Sequence, residues 1–500
     1  MVRRVACSFL LLLILLSACI QAAPTAPTQS RPRVTTNPNS PPTLTPFGPA
    51  EDTPAIPAAT QPADNTSASP ASGPPALPQY ILEATLDYGK HTLAVDEAIN
   101  YPNLTGEELD SLVLAVEPNL WKNCFKLGDL MVSGQSVKGY HLYSDRLDLP
   151  LASPLAPNTA VNILLHYDLV LPPADVYHVF GFNWLQTNLV DWYPFVVPYS
   201  DGWVLHPPAE VGEHLVYDPA DFEVTLHLAD PRASMVIAAG APAETANETW
   251  HYRLHHGRTF VFSASPYYQT IRATVGGIPV SGYYLMNEKD QATAAFQEVS
   301  KAVSTFSSLF GPYPYASLSM VESPYFDGME YDGLFFLGRD YYISSDGTVL
   351  NNMIDIGVHE TSHQWWFGSV GNDQALEPWL DEALATYSEE LFYEKNYPDV
   401  TAWQTFRVDS FDPSGWVDTD VYHGVNFRTY ANAVYLRGAL FLGDLRKRIG
   451  EVVFFAFLKD YATQMAGKRS TSADFFRIMR EHTSSDISDL LAEYFRHPPK

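Results

Sequence analysis

Cysteine is nearly absent from the chain: three in 500 residues, at Cys7, Cys19 and Cys124. That excludes a disulfide scaffold and a cysteine-ligated metal site. Positive charge is scarce as well, with 30 Lys and Arg against 57 Asp and Glu and a formal net charge of −27. Nucleic acid is not an expected partner, because phosphate binding needs a basic surface. Beyond the first twenty residues no apolar run is long enough to cross a bilayer as a helix. The signatures GxSxG, CxxC and GxGxxG are also missing, which leaves a serine hydrolase or a nucleotide enzyme without support. Nothing in the sequence sets the oligomeric state.

What is present begins with "MVRRVACSFLLLLILLSAC". Arg3 and Arg4 give a basic start, Val5 to Leu16 a short apolar core, and small residues lead into Cys19. This reads as a secretory signal over residues 1–18. "LSAC" looks like a bacterial lipobox, which implies lipid on Cys19 and a chain exported and anchored to the outer face of a bacterial cell membrane. Residues 19–78 are Pro, Thr, Ala, Ser and Asn with few large apolar side chains. Such a segment cannot offset its ordering entropy by burial and reads as a disordered tether, with a coil span of roughly 40 Å. With Cys7 in the signal and Cys19 lipidated, Cys124 is left alone as a small buried hydrophobe.

Residues 79–286 are strand-like. "DFEVTLHLAD" (221–230) alternates Phe222, Val224, Leu226 and Leu228 with polar residues, and "RTFVFSAS" (258–265) reads as another strand. Turn residues at short spacing predict an antiparallel all-β sandwich or saddle domain. Residues 287–500 change period. Phe296, Val299, Val303, Phe306 and Phe310 recur at helical spacing, with Asp290 as the expected N-cap and Gly311-Pro312 as the stop. A short strand is expected at 318–321. Helices are expected at 351–368, 378–397 and 429–449, with two short amphipathic helices in the tail.

One stretch carries chemistry. His359, Glu360 and His363 form HExxH. On a helix, positions four apart share a face, so both imidazoles reach one Zn²⁺ and Glu360 lies beside it as a base. A hydrolytic zinc takes three protein ligands and keeps one position open. Glu382, 19 residues beyond His363, sits just after Pro378, a residue suited to a first helical turn. If that helix runs back antiparallel, Glu382 faces the metal as third ligand. Its neighbour Asp381 points about 100° away and suits a supporting role.

HExxH, an eighteen-residue gap and Glu382 within "WLDEALA" resemble the gluzincin aminopeptidases, the membrane-alanine aminopeptidase family (peptidase family M1). "HQWWFG" is similar to that family's HQWFG. The resemblance implies a thermolysin-like α+β, mainly helical catalytic domain after the β domain, one Zn²⁺ per chain, and peptide substrates with a free N-terminus. "DGMEYDGL" (327–334) resembles the family's G-x-M-E-N-x-G-L edge strand. By position Glu330 then binds the substrate's α-amino group, with Gly328 and Met329 beside it. Asp327 and Tyr331 depart from the usual glycine and asparagine. "AVYLRGALFL" (433–442) is similar to V-Y-x-K-G-A, which makes Tyr435 the oxyanion donor, with Tyr430 as nearest rival. The family also anchors the amine from its β domain, and Gln186 is the candidate here. The resemblance covers residues 290–450 well and 80–285 loosely. The family's large C-terminal helical domain has no counterpart in the sequence, so a more open cleft and ready acceptance of peptides of moderate length are expected.

The expected activity is metal-assisted hydrolysis of the N-terminal peptide bond, with Glu360 and Tyr435 catalytic and His359, His363 and Glu382 on zinc. Two alternatives use the same residues differently. A zinc endopeptidase with a thermolysin-like centre needs no free amine, and a tethered binding protein keeps the fold without turnover.

Overall fold

The computed structural model describes residues 77–498, except 231–233, 286–287 and 425. The expected signal and nearly all of the tether, Cys19 included, lie outside the described residues. Among the described residues no helix is long and apolar enough to cross a membrane.

Period-two alternation builds the first half. Strand β1 (Gln79–Asp87) buries Tyr80, Leu82, Ala84 and Leu86 and turns Ile81 and Glu83 outward. The same pattern runs through β2 (Thr92–Pro102), β3 (Ala160–Val170) and β4 (Ala220–Leu228). These four lie in the order β4-β1-β2-β3 at the centre of an eight-stranded sheet. One face packs on the core and the other is more open, as such alternation requires. Pairing is antiparallel except for β1 with β4, which run parallel. Two four-stranded sheets complete this region, and Cys124 is a buried free thiol within it.

The strand expected at 258–265 forms only from Phe262 to Ser265. Three of the four residues before it leave the ladder because their amides are engaged elsewhere. Arg258 N and Thr259 N donate to Asp332 Oδ2 at 2.8 and 2.6 Å, and Phe260 N donates to the Tyr193 hydroxyl at 2.9 Å.

A mixed five-stranded sheet carries the chain into the helical half. Its strands are β5 (Tyr268–Val275), β6 (Ile278–Leu285), β7 (Leu318–Ser323), β8 (Gly328–Tyr331) and β9 (Leu334–Gly338). The order is β5-β6-β7-β9-β8, so β8 is an edge strand, antiparallel to β9.

Helix α1 (Lys289–Leu309) packs against α2 (Asn352–Ser362). Its N-cap is Glu288, and Asp290 stands in the first turn, where its charge suits the helix dipole without capping. Helix α2 ends six residues earlier than the hydrophobic pattern suggests. His363 is its C-cap, and Gly368, Ser369 and Val370 then donate to carbonyls five residues back in wider turns. These turns bury both indoles, Trp365 against Phe306 and Phe310 and Trp366 against Phe310 and Tyr461.

Then follow α3 (Trp379–Asn396), the single-turn α4 (Trp403–Arg407), α5 (Phe427–Ala431) and α6 (Arg437–Ile449). A π-helical turn, Asn432–Leu436, joins the last two. Helix α7 (Glu451–Gln464) was not read from the sequence, because its "VVFFAF" run has no clean polar face. The two tail helices are α8 (Ser472–His482) and α9 (Ser488–Tyr494).

A buried guanidinium locks the two halves together. Arg258 donates to the carbonyls of Phe367, Gly368, Tyr217 and Lys468 at 2.8–3.0 Å. It thus satisfies the turn that follows the HExxH helix.

Candidate metal centre and substrate cavity

Asn351 caps α2, its side chain accepting from Ile354 N, and fixes where the helix starts. His359 and His363 then fall on the face turned toward α3. Glu382 comes from the first turn of α3. The two helices run antiparallel: Asp355 and Glu389 share Arg407, His359 meets both Glu389 and Glu382, and His363 meets Glu382.

The three near atoms form a tight triangle. His359 Nε2 lies 3.1 Å from His363 Nε2 and 3.3 Å from Glu382 Oε2, and His363 Nε2 lies 3.6 Å from Glu382 Oε2. Tetrahedral zinc with bonds of about 2.0–2.1 Å sets neighbouring ligand atoms about 3.4 Å apart. The tautomers fit as well. His363 Nδ1 faces the Trp366 carbonyl at 2.8 Å and His359 Nδ1 faces Glu389 Oε1 at 2.8 Å. A carbonyl or carboxylate only accepts, so each Nδ1 carries the proton. Both Nε2 lone pairs then point at one spot beside a carboxylate, which suits a cation. Burial works against charging His363, yet Glu330 and Glu382 lift its proton affinity well above the histidine range. These donors therefore fit Zn²⁺.

Glu360 is buried and its Oε2 has no hydrogen-bond partner. Burial, then the charge of Glu330, pushes its carboxyl well above the usual range. Gly328 is required where it stands, because a Cβ there would lie 2.0 Å from Glu360 Oε1. Glu330 is buried on edge strand β8 and accepts a long 3.4 Å contact from Gln374 Nε2. Glu330, Glu360 and His363 bring ligating atoms within 4.8 Å of one another.

Tyr435 comes from the π-turn, a distortion common at functional sites. Its hydroxyl donates to Glu382 Oε1 at 2.6 Å, and its ring lies parallel to that of His359 at 6.0 Å. Tyr430 is buried behind it, edge-on, with a hydroxyl that has no partner. Asp381 is also buried and accepts from Glu382 N at 2.8 Å, which steadies the start of α3.

Several residues at the site were not read from the sequence. Glu389 holds His359, and Arg407 in turn holds Glu389 through Nε and Nη2 at 2.8 and 3.1 Å. Burial would raise the Glu389 carboxyl, but Arg407 and His359 keep it below its ordinary value. Its position seven residues after Glu382, two turns along one face, is a usable signal. Gln186 is not at the site. It is buried in the β domain, donating to Asn188 Oδ1 at 2.8 Å. The β-domain residue beside Glu330 is Glu213. Both line one cavity of about 120 Å³, together with Met329, Tyr331, Phe367 and Gln374. Burial and then Glu330 push the Glu213 carboxyl well above the usual range.

Residues 294–494 match the peptidase family M1 domain. Aminopeptidase 2 of Candida albicans is 24% identical over 227 residues, which is 42% of this chain and 25% of that protein. The chain thus spans about a quarter of the length of that curated relative. Among solved structures, the M1 zinc metallopeptidase from Deinococcus radiodurans shares the fold at a TM-score of 0.62 and 18% identity, covering 85% of this chain and 94% of that one. A mutant of that metallopeptidase bound to a Tyr-Ser-Ala substrate gives a TM-score of 0.59, again at 18% identity, covering 85% of this chain and 95% of that one. Residues 294–494 are thus similar to the peptidase family M1 domain, and the described residues share the fold of the M1 zinc metallopeptidases.

Proposed function

We propose that the protein is a zinc-dependent aminopeptidase that removes the first residue of peptides. The observation that carries this reading is the nearness of Glu330 to the metal-binding triad, its carboxylate within 4.8 Å of His363 and Glu360. A carboxylate on the edge strand at that range serves a charge adjacent to the scissile bond, and the α-ammonium is that charge. It holds the substrate so that only the first peptide bond reaches the centre.

Zinc held by His359, His363 and Glu382 would supply Lewis acidity, acidifying a water and polarising the scissile carbonyl. Glu360 takes the proton of the attacking water through its unpartnered Oε2 and passes it to the leaving amine. The Tyr435 hydroxyl donates to negative charge developing on the carbonyl oxygen. Strand β8, paired on one side only, offers backbone groups to an extended peptide. Glu389 and Arg407 orient His359.

The test is a set of aminoacyl-amide reporters beside their N-acetylated forms. Cleavage confined to the free amines, and weakened about 10- to 100-fold in Glu330→Ala, is expected for loss of a charged hydrogen bond. Equal cleavage of blocked substrates would make the protein an endopeptidase, and zinc binding without any turnover would make it a binding protein.

We further propose export and anchoring through lipid on Cys19, supported by the lipobox-like "LSAC" and the apolar segment before it. The full chain is then expected in the membrane fraction and Cys19→Ser in the soluble fraction. Equal membrane retention of both would sink the proposal.

A further inference from the structure

The cavity that holds Glu330 continues away from the metal-binding triad into the β domain. Part of its lining is apolar or aromatic: Met329, Tyr331, Phe367 and Tyr217. Its other lining groups include Glu117, Asp191 and His214. At about 120 Å³ it has room for roughly four waters, the size of one amino-acid side chain. The two ends differ in their electrostatic neighbours. Glu213 feels Glu330, Glu382, Asp381 and His363, whereas Asp191 feels Glu117 and His214.

We propose that this cavity receives the side chain of the substrate's first residue and selects cationic side chains, arginine and lysine, through Glu117 and Asp191. The inference rests on the aminopeptidase reading and names its substrate class. A long cationic side chain has two parts, an apolar stem and a charged head. The aromatic walls suit the stem and the carboxylates suit the head.

The acidic end is built rather than incidental. His214 Nε2 lies 3.5 Å from Glu117 Oε2 and 3.8 Å from Asp145 Oδ2, and these three buried atoms make no hydrogen bonds. Two carboxylates against one imidazole leave the group short of positive charge even with His214 protonated. Burial opposes that protonation, but Asp145 and Glu117 raise His214 to about 9. Asp191 adds a third carboxyl, pushed up to about 7 by burial, with Tyr217 donating to Oδ1 at 2.8 Å. A guanidinium entering here supplies the missing charge, whereas an acidic side chain meets carboxylates.

The wall is also held stiffly. Phe367 has φ of 130°, a conformation that a bulky residue keeps only when its surroundings hold it there. Its amide donates to the Val370 carbonyl, its own carbonyl accepts from Arg258, and its ring meets Tyr217 edge-on. A pocket of fixed width discriminates better than one that yields.

The experiment uses the full chain. kcat/KM is measured on arginyl, lysyl, leucyl, alanyl and glutamyl amide reporters, and binding of L-argininamide and L-leucinamide is measured by calorimetry. Arginyl and lysyl reporters are expected to exceed alanyl by tenfold or more, with glutamyl poorest. Glu117→Gln and Asp191→Asn are each expected to lower the arginyl-to-leucyl ratio about tenfold. A wild-type preference for leucyl or alanyl overturns the inference and leaves the aminopeptidase reading intact, and this ranking needs no variant to fold. No turnover, with argininamide still bound selectively and more weakly by Glu117→Gln, sinks the aminopeptidase reading and keeps the pocket. Two zinc ions per chain, the second lost in His214→Ala, would assign these side chains to a metal and overturn the inference.

Discussion

At the scale of single residues, the chemistry shows in which atoms lack partners. Glu360 Oε2 is buried and free of hydrogen bonds, which is costly unless it has work to do. Glu360→Gln keeps the shape and removes the base, so kcat should fall about 10²–10⁴-fold. Zinc content by elemental analysis should not change. Tyr435 and Tyr430 separate by what their hydroxyls touch. The Tyr435 hydroxyl touches a metal-binding side chain and that of Tyr430 does not. Tyr435→Phe should lower kcat about 10²–10³-fold with little change in KM. Tyr430→Phe should leave kcat nearly untouched, and steady-state kinetics on one reporter distinguishes them. The triad was legible because HExxH and the later glutamate encode their geometry in spacing alone. Glu213 was not, because it comes from a distant loop and no spacing links it to Glu330.

At the scale of elements, helices α2 and α3 act as a pair. Asp355, His359, Glu382, Glu389 and Arg407 form one charged seam between them, extended by Trp403 Nε1 donating to Asp355 Oδ1 at 2.9 Å. Glu389→Gln keeps an acceptor for His359 but drops the ion pair with Arg407. Zinc affinity should weaken about 10- to 100-fold, measured by competition with a chromogenic chelator. Periodicity read the existence of α1, α2 and α3 well. It misplaced the end of α2, because the apolar "QWWFG" continues the pattern while the backbone opens into wider turns. Helix α7 escaped because it is apolar nearly all round, and a period needs contrast.

At the scale of the whole molecule, the β domain is both scaffold and wall. It reaches the helical half through Arg258 and Asp332 and lends Glu117, Asp191 and Glu213 to the cavity. Its core also holds a carboxyl whose protonation state sets a stability trend. Glu97 on β2 is 2% exposed, and neither carboxyl oxygen has a hydrogen-bond partner. Burial pushes its folded-state pKa well above the ordinary glutamate value of 4.5. The folded state therefore binds a proton that the unfolded chain releases. That contribution is full below the unfolded pKa and shrinks as pH rises toward the folded one. Glu97→Gln should raise Tm near pH 8 and leave it nearly unchanged near pH 4, as thermal unfolding at both pH values would reveal. The strand-rich architecture of this half was legible from alternation. The cavity was not, because it is assembled from loops that meet only after folding. The proposed zinc peptidase centre lies at His359, His363 and Glu382. Its most direct test is turnover of a free-amine reporter as zinc is titrated into chelator-treated protein. Activity is expected to rise to a plateau at one zinc per chain, with none in His363→Ala. Full activity after chelation, or one bound zinc with no activity, would contradict it.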